Sequence, residues 1–410
     1  SWLENRAEKV EAAIISTDAL LYGGLVASRT HHLDPAVLEK RIKRLRDLHL
    51  DTNIRFFAFS TLMRTPRESY GNVEPDYYSH VGPAIYRYSQ LSDKSDVRAE
   101  TLLEDFELGA FERNLAKEHL QDWLDRRNKN MAVNQQLAIL ARMGRFDYFA
   151  IGKDDNAPYS HTHMEARKIS LGNAAVSSAS FQVLPGVDQL GLLLLTRAAN
   201  QLENHSPKVY QMYVEGEGPK TTPQYSDLPL GISVPEQIIA AGGTVVNSPA
   251  NADVILAINT PADGIMYDST DSSNQYFASF SNKRYIDHLG AMLRSGANIS
   301  LADVAFSNGA DNGFMNELSL RGFTEQLAAY NGWNTADNAI GFAIAQGMLA
   351  PQIPRGKQLA RMRERILDDW YYQSNARRII TEELEKAKLT NHKYNLDDIC
   401  LLYTSPSPRD

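Results

Sequence analysis

Residues 146–165, FDYFAIGKDDNAPYSHTHME, hold the feature that most restricts the fold. Tyr148, Phe149, Ala150 and Ile151 form a short apolar run of β-type residues and read as a buried strand. Gly152 breaks the run. Lys153, Asp154, Asp155 and Asn156 follow at once, and Pro158 stops any regular continuation. In parallel α/β folds the carboxyl ends of strands are where ligands collect. Two adjacent carboxylates there are costly unless a metal, a cation or a shared proton compensates them. One of them could cap the helix expected to start near His163, but a cap needs only one.

The same pattern recurs. Val10 to Ser16 is apolar and ends in Thr17 and Asp18, with Tyr22, Ser28 and Arg29 close behind. Ile54 to Ser60 runs into TLMRTP, which carries Arg64. Ser180 to Leu184 runs into PGVDQLG, which carries Asp188. Four apolar runs that each end in an acid or an arginine before a helix argue for a parallel sheet with a polar mouth. From Leu120 to Ala141 a stripe at helical spacing has apolar ends and a polar middle: Arg127, Asn130 and Asn134. Polar groups inside a buried stripe need partners, so these three are expected to face the mouth. The tyrosine-rich segment 69–89 reads as a long loop folded over the site, with most of its tyrosines in packing roles.

A boundary is expected near residues 203–207. It gives an N-terminal α/β lobe over 1–205, a Rossmann-like α/β lobe over 206–350 and a charged helical segment over 351–399. The second lobe contributes polar candidates at its own strand ends: Asn259, Asp303, Asn308 and Asp311. It has no G-x-G-x-x-G and no phosphate-binding Gly-Lys-Ser/Thr, so no nucleotide cofactor is expected. Trp333, Asn334, Thr335 and Asn338 precede an apolar helix. An aromatic face flanked by amides suits a sugar platform, and a helix cap beside a buried tryptophan is the plainer reading.

Composition removes several classes. The 410 residues are 43% hydrophobic and 22% charged, with a net charge of -8. There is no basic run to hold a nucleic acid and no apolar stretch near the length of a membrane span. The chain opens inside a helix without Met, so it reads as truncated and leaves the compartment open, cytoplasmic or exported. The last eleven residues, CLLYTSPSPRD over 400–410, match the in-frame translation of a transposase-type sequencing adaptor and read as an artefact. Cys400 is the only cysteine, so the rest of the chain has no disulfide or cysteine metal site.

Several stretches together resemble one bacterial family of unknown function, DUF4127. They are STDALLYGGLVASR (16–29), FAFSTLMRTP (57–66), RRNKNMAVN (126–134), KDDNAPY (153–159) and PGVDQLGLLLLTRAAN (185–200). They continue with ADVILAINTP (252–261), LADVAFSNGAD (301–311) and YNGWNT (330–335). The likeness runs to about residue 350. The family's usual opening, a strand followed by an L-D-E-R-P-type motif, is not in this chain. Gln189 stands where the family is expected to have Glu. The family name implies no reaction.

The expected fold is therefore α/β, with two parallel-sheet lobes and a site between them; a distorted (β/α) barrel is the alternative. The leading functional expectation is a hydrolase acting on a carbohydrate or carbohydrate-linked substrate. Asp154 and Asp155, with Asp18, would carry the chemistry, one carboxylate orienting a substrate N-acetyl group and the other acting as acid/base. Tyr22, Arg29, Arg64, Arg127, Asn130, Asn134, Lys153, Asp188, Asn259, Asp303, Asn308, Asp311, Trp333 and Asn334 would bind substrate. One alternative is a metal-dependent hydrolase of amides, esters or phosphates, with Asp154, Asp155, His161 and His163 as candidate ligands of a divalent metal. The H-x-H pair would place both rings on one side of an extended segment. The other alternative is a carbohydrate-binding protein without catalysis. The partner in each case is a small molecule or glycan, and the sequence sets no oligomeric state.

Overall fold

The computed structural model describes residues 9–50, 54–67, 73–174 and 176–386. The sequencing-adaptor reading over 400–410 lies outside the described residues.

The first half builds a four-stranded parallel sheet from β1 (Ala12–Ser16), β2 (Arg55–Leu62), β3 (Tyr148–Lys153) and β4 (Phe181–Pro185). The strands lie in sequence order, and every pairing is parallel. Right-handed crossovers that always step the same way leave their helices on one face. The helices Pro35–Leu50, Lys117–Arg142 and His161–Gly172 do share one face, packing Leu38, Ile42, Val133, Leu137, Ala166 and Ile169 against Phe56, Ala58, Phe149 and Ile151. The alternate residues Phe57, Tyr148, Ala150 and Leu184 turn to the opposite face.

The second half builds a five-stranded parallel sheet from β5 (Lys208–Tyr213), β6 (Thr244–Val246), β7 (Val254–Asn259), β9 (Ile299–Asp303) and β11 (Ala329–Asn331). Its order is β6-β5-β7-β9-β11. The chain reverses direction across β5, which makes the sheet doubly wound, Rossmann-like. A two-stranded parallel pair, β8 (Tyr267–Asp268) and β10 (Phe306–Ser307), lies beside it. The protein is thus α/β with two parallel-sheet lobes.

A shared layer of helices joins the lobes. Leu190–Leu202, Leu230–Ala240 and Ala336–Leu349 lie in one hydrophobic core with Phe57 and Ala150 of the first sheet and Leu256 and Ile258 of the second. Each large apolar side chain buried there contributes about 1.5–3 kcal/mol of transfer free energy.

Two local expectations change. The tyrosine-rich segment is mostly helix from Tyr78 to Asp96, with Pro83 inside it; Tyr78 and Ile85 are fully buried, which supplies the packing a loop would lack. Gly152 does not break β3, which runs on to Lys153. A Cβ at Gly152 would lie 2.6 Å from the Gly186 carbonyl and 2.7 Å from Leu190, so glycine is there to let the end of β4 and its helix close over the strand.

Candidate functional site

The carboxyl ends of all four strands of the first sheet point polar groups at one place. Arg29, on the short helix Leu25–Thr30, Arg64 beyond β2, Asp154 and Asp155 beyond β3, and Gly186, Val187 and Asp188 beyond β4 line a cavity of about 90 Å³. The second half closes it with Tyr225, Asn334, Thr335 and Asn338.

The charges interlock. Arg29 donates to Asp154 at 2.5 Å and lies 3.5 Å from Glu74. Arg64 donates to Glu74 at 2.6 Å and to Asp155 at 2.7 Å. Glu74 therefore sits between two guanidiniums, each of which also holds one of the paired aspartates. Asp188 is held by amides instead, from Asn334 at 2.8 Å and Asn338 at 3.2 Å. The side-chain carbonyl of Asn338 accepts the backbone N–H groups of Val187 and Asp188. Gly186 has φ 76, and a Cβ there would lie 2.5 Å from that carbonyl, so only glycine allows the turn.

Burial drives the titration behaviour. It pushes the Asp155 carboxyl up to about 6, helped by the charge of Asp154 and opposed by Arg64. It raises Asp18 to about 7 against the hydrogen bond from the Thr61 hydroxyl, with Asp154 adding to the rise. Asp188 and Glu74 are raised too, first by burial. Asp155 at φ 29 and Tyr225 at φ 64 hold strained left-handed backbone on the cavity wall. Such strain costs of order 1–3 kcal/mol per residue and concentrates at functional sites.

The sequence-selected residues separate into groups. Asp154, Asp155, Arg29, Arg64, Asp188 and Asn334 line the cavity together. Asp18 lies beside them, within electrostatic reach of Asp154 and Arg29. Arg127, Asn130 and Asn134 do not line it; they brace it from behind. Arg127 is paired with Glu165 at 2.8 Å and donates to the carbonyls of Met63 and Arg64. Asn130 donates to the carbonyl of Ser28, next to Arg29, and Asn134 donates to Thr61. Tyr22 stacks on His31 at 4.7 Å between ring centroids. Lys153 forms a buried ion pair with Asp227 of the second half. Trp333 is half-buried beside the cavity-lining Asn334.

His161 and His163 stand on the first turn of a helix capped by Ser160, not on an extended segment, so the rings diverge. His161 is buried against Trp123 and Tyr88, and burial with nearby Arg127 drops its ring to about 3. His163 bonds Asp93 at 2.6 Å. Among the described residues, no group of three or more His, Cys, Asp or Glu side chains is arranged to hold a metal ion.

Asn259, Asp303 and Asp311 form a separate buried cluster at the strand ends of the second sheet. Asn259 donates to Asp303 at 2.8 Å and to Asp311 at 3.2 Å. Asn308 joins neither group: its backbone N–H donates to the carbonyl of Asn334, next to the cavity, at 2.8 Å, and its side chain donates to Asp268 on β8.

Apart from Tyr225 and Asn338, the cavity-lining side chains lie on segments that the family resemblance picks out. The chain belongs to the DUF4127 family. The family profile, described as "Protein of unknown function (DUF4127)", matches residues 1–400. No curated protein and no solved structure matches the chain. In this DUF4127 chain two site residues escaped the sequence reading, Glu74 and Tyr225. Glu74 carried no usable signal: two arginines and two aspartates already balance, and only the fold sets Glu74 between the two guanidiniums. Tyr225 carried none, because the loop that bears it belongs to the other half of the chain. Among the described residues no helix is long and apolar enough to cross a membrane.

Proposed function

We propose that this DUF4127 protein is a hydrolase acting on a carbohydrate or carbohydrate-linked substrate, with Asp154 and Asp155 as its reacting pair. The observation that carries this reading is the pairing itself: neighbouring aspartates in one cavity, each held by its own arginine. Divergent surroundings of two carboxylates are what separates an acid from a base. Asp155, with its carboxyl raised to about 6, gives a proton to the leaving oxygen as the C–O bond breaks. Asp154 takes the proton of the attacking water. Proton exchange with solvent then restores both groups.

The wall favours a polyhydroxylated ligand. Carboxylates, guanidiniums and the amides of Asn334 and Asn338 dominate it. A cavity of about 90 Å³ admits a reacting group rather than a whole chain, so most of a larger substrate lies outside.

The test is hydrolysis of a glycan panel, followed by mass spectrometry, for the wild type and Asp155→Asn. Loss of acid/base catalysis is expected to slow turnover by about 100- to 10,000-fold. Turnover that ignores this substitution, or a panel with no cleaved member, overturns the reading.

A further inference from the structure

We infer that Asn338 is a positioning residue: its amide, carried by the second half of the chain, sets the direction of the Asp188 carboxylate in the cavity. The wall is then complete only while the two halves are docked. This rests on the reading of the cavity as a substrate site and adds to it a residue outside the aspartate pair.

The amide is used at both ends. Asn338 is buried on the first turn of the helix Ala336–Leu349. Its Oδ1 accepts the backbone N–H groups of Val187 at 3.1 Å and Asp188 at 3.2 Å, and its Nδ2 donates to Asp188 Oδ2 at 3.2 Å. Two backbone donors fix which way the amide faces and leave its N–H to the carboxylate. An aspartate in its place accepts but does not donate when ionised; a leucine does neither.

The turn is built around this contact. Between the end of β4 at Pro185 and the helix that begins at Leu190, Gly186 leaves the space that Oδ1 occupies. The Gly186 N–H donates to the Lys153 carbonyl at 3.0 Å, which ties the turn to the strand end that carries Asp154 and Asp155. Gln189 is fully buried and lies against Gly341 of the Asn338 helix, where a Cβ would stand 2.3 Å from its Cγ. The Asp188 carboxylate takes its hydrogen bonds from the second half alone, Asn334 and Asn338, among the described residues. Arg29 and Arg64 act on it through space. Its direction is therefore set from across the boundary between the halves.

The experiment compares the whole wild-type chain with Asn338→Leu and Asn338→Asp. Amide exchange at Val187 and Asp188 needs no substrate. Both amides are expected to be protected in the wild type, to exchange at least about tenfold faster in Asn338→Leu, and to stay protected in Asn338→Asp, which keeps the acceptor. In Asn338→Asp two carboxylates face each other where an N–H donated before. Carboxyl NMR is expected to show Asp188 keeping its proton to higher pH than in the wild type. Asp188 is not one of the reacting pair, so on a cleaved glycan both variants are expected to raise KM at least about tenfold with kcat within about threefold.

Fast exchange of the wild-type amides overturns the inference even if neither variant folds. Wild-type exchange in Asn338→Leu, an Asp188 titration blind to Asn338→Asp, or a loss confined to kcat each overturns it as well. Cleavage of glycans with a KM indifferent to both variants sinks this inference and leaves the hydrolase reading standing. Protected amides and a shifted titration in a chain that cleaves no glycan do the reverse.

Discussion

Glu74 is the residue on which both arginines of the site depend. Its side chain is 2% exposed and accepts from Arg64, with Arg29 within ion-pair distance. Removing one member of a buried charge network leaves the others uncompensated, at a cost of roughly 3–5 kcal/mol. Glu74→Gln is expected to lower the urea midpoint accordingly; a change below about 1 kcal/mol, the size of a surface pair, would show that Arg29 and Arg64 do not need it. Asp155 makes a second prediction. As the acid it must carry its proton, so activity is expected to hold below about pH 6 and to decline above it, tenfold per pH unit. A rate that rises through the same range would assign Asp155 as a base instead.

At the scale of elements, the helix Lys117–Arg142 is the frame that aims the strand ends. Arg127, Asn130 and Asn134 recur at intervals of three and four and so share one face. Each bonds backbone at or near a site residue: Met63 and Arg64, Ser28 next to Arg29, and Thr61, whose hydroxyl donates to Asp18. Asn134 also accepts from the Ser60 hydroxyl at 2.5 Å. Asn134→Ala strands a buried carbonyl and a buried hydroxyl, and a loss of about 1–3 kcal/mol per group is expected. The expected signature is lower stability together with faster amide exchange at the end of β2. Unchanged exchange there, with stability lowered elsewhere, would remove the helix from its role as the frame.

For the whole molecule, the helix layer between the sheets ties their stabilities together. Ile340 is fully buried in the core common to both lobes. Ile340→Ala is expected to cost about 2–5 kcal/mol and to raise amide exchange in both sheets at once. Exchange that rises only in the second sheet would show that the lobes unfold separately. Buried acids impose a pH dependence on the same scale. Burial raises Asp18 and Asp369 to about 7, and Asp155 and Asp337 to about 6, from a usual 3.8. The folded chain keeps protons that the unfolded chain releases in that window. The stabilisation is fully present below 3.8 and is lost as pH rises through about 6 to 7. Melting temperature is expected to fall across this window, and less steeply in Asp18→Asn, where the amide oxygen can still accept from Thr61.

Local rules carried the sequence reading a long way. Apolar runs that end in charge located the four strands of the first sheet, and the absence of phosphate-binding glycines accompanied a second sheet of Rossmann-like order. Asp154, Asp155, Arg29, Arg64, Asp188 and Asn334 were legible because each stands at the end of an apolar segment or at the start of a helix. Other features depended on partners far away in the chain. Gly152 looks like a strand breaker until Gly186 and Leu190 are seen against it. Arg127 looks like a ligand group until Glu165 is seen to hold it. Glu74 becomes part of the site only when Arg29 and Arg64 meet around it. Asp369 and Trp370 lie in a segment that reads as charged helix, yet both are buried, Asp369 bonded to the Gly332 N–H and Trp370 to Asn312. The sequence by itself determined the strands of the two main sheets and which of their ends are polar, because periodicity and chain breaks act over a few residues. Tertiary structure alone decided which polar ends meet and which cations are already occupied, because charge pairing acts through space between segments that the sequence holds far apart.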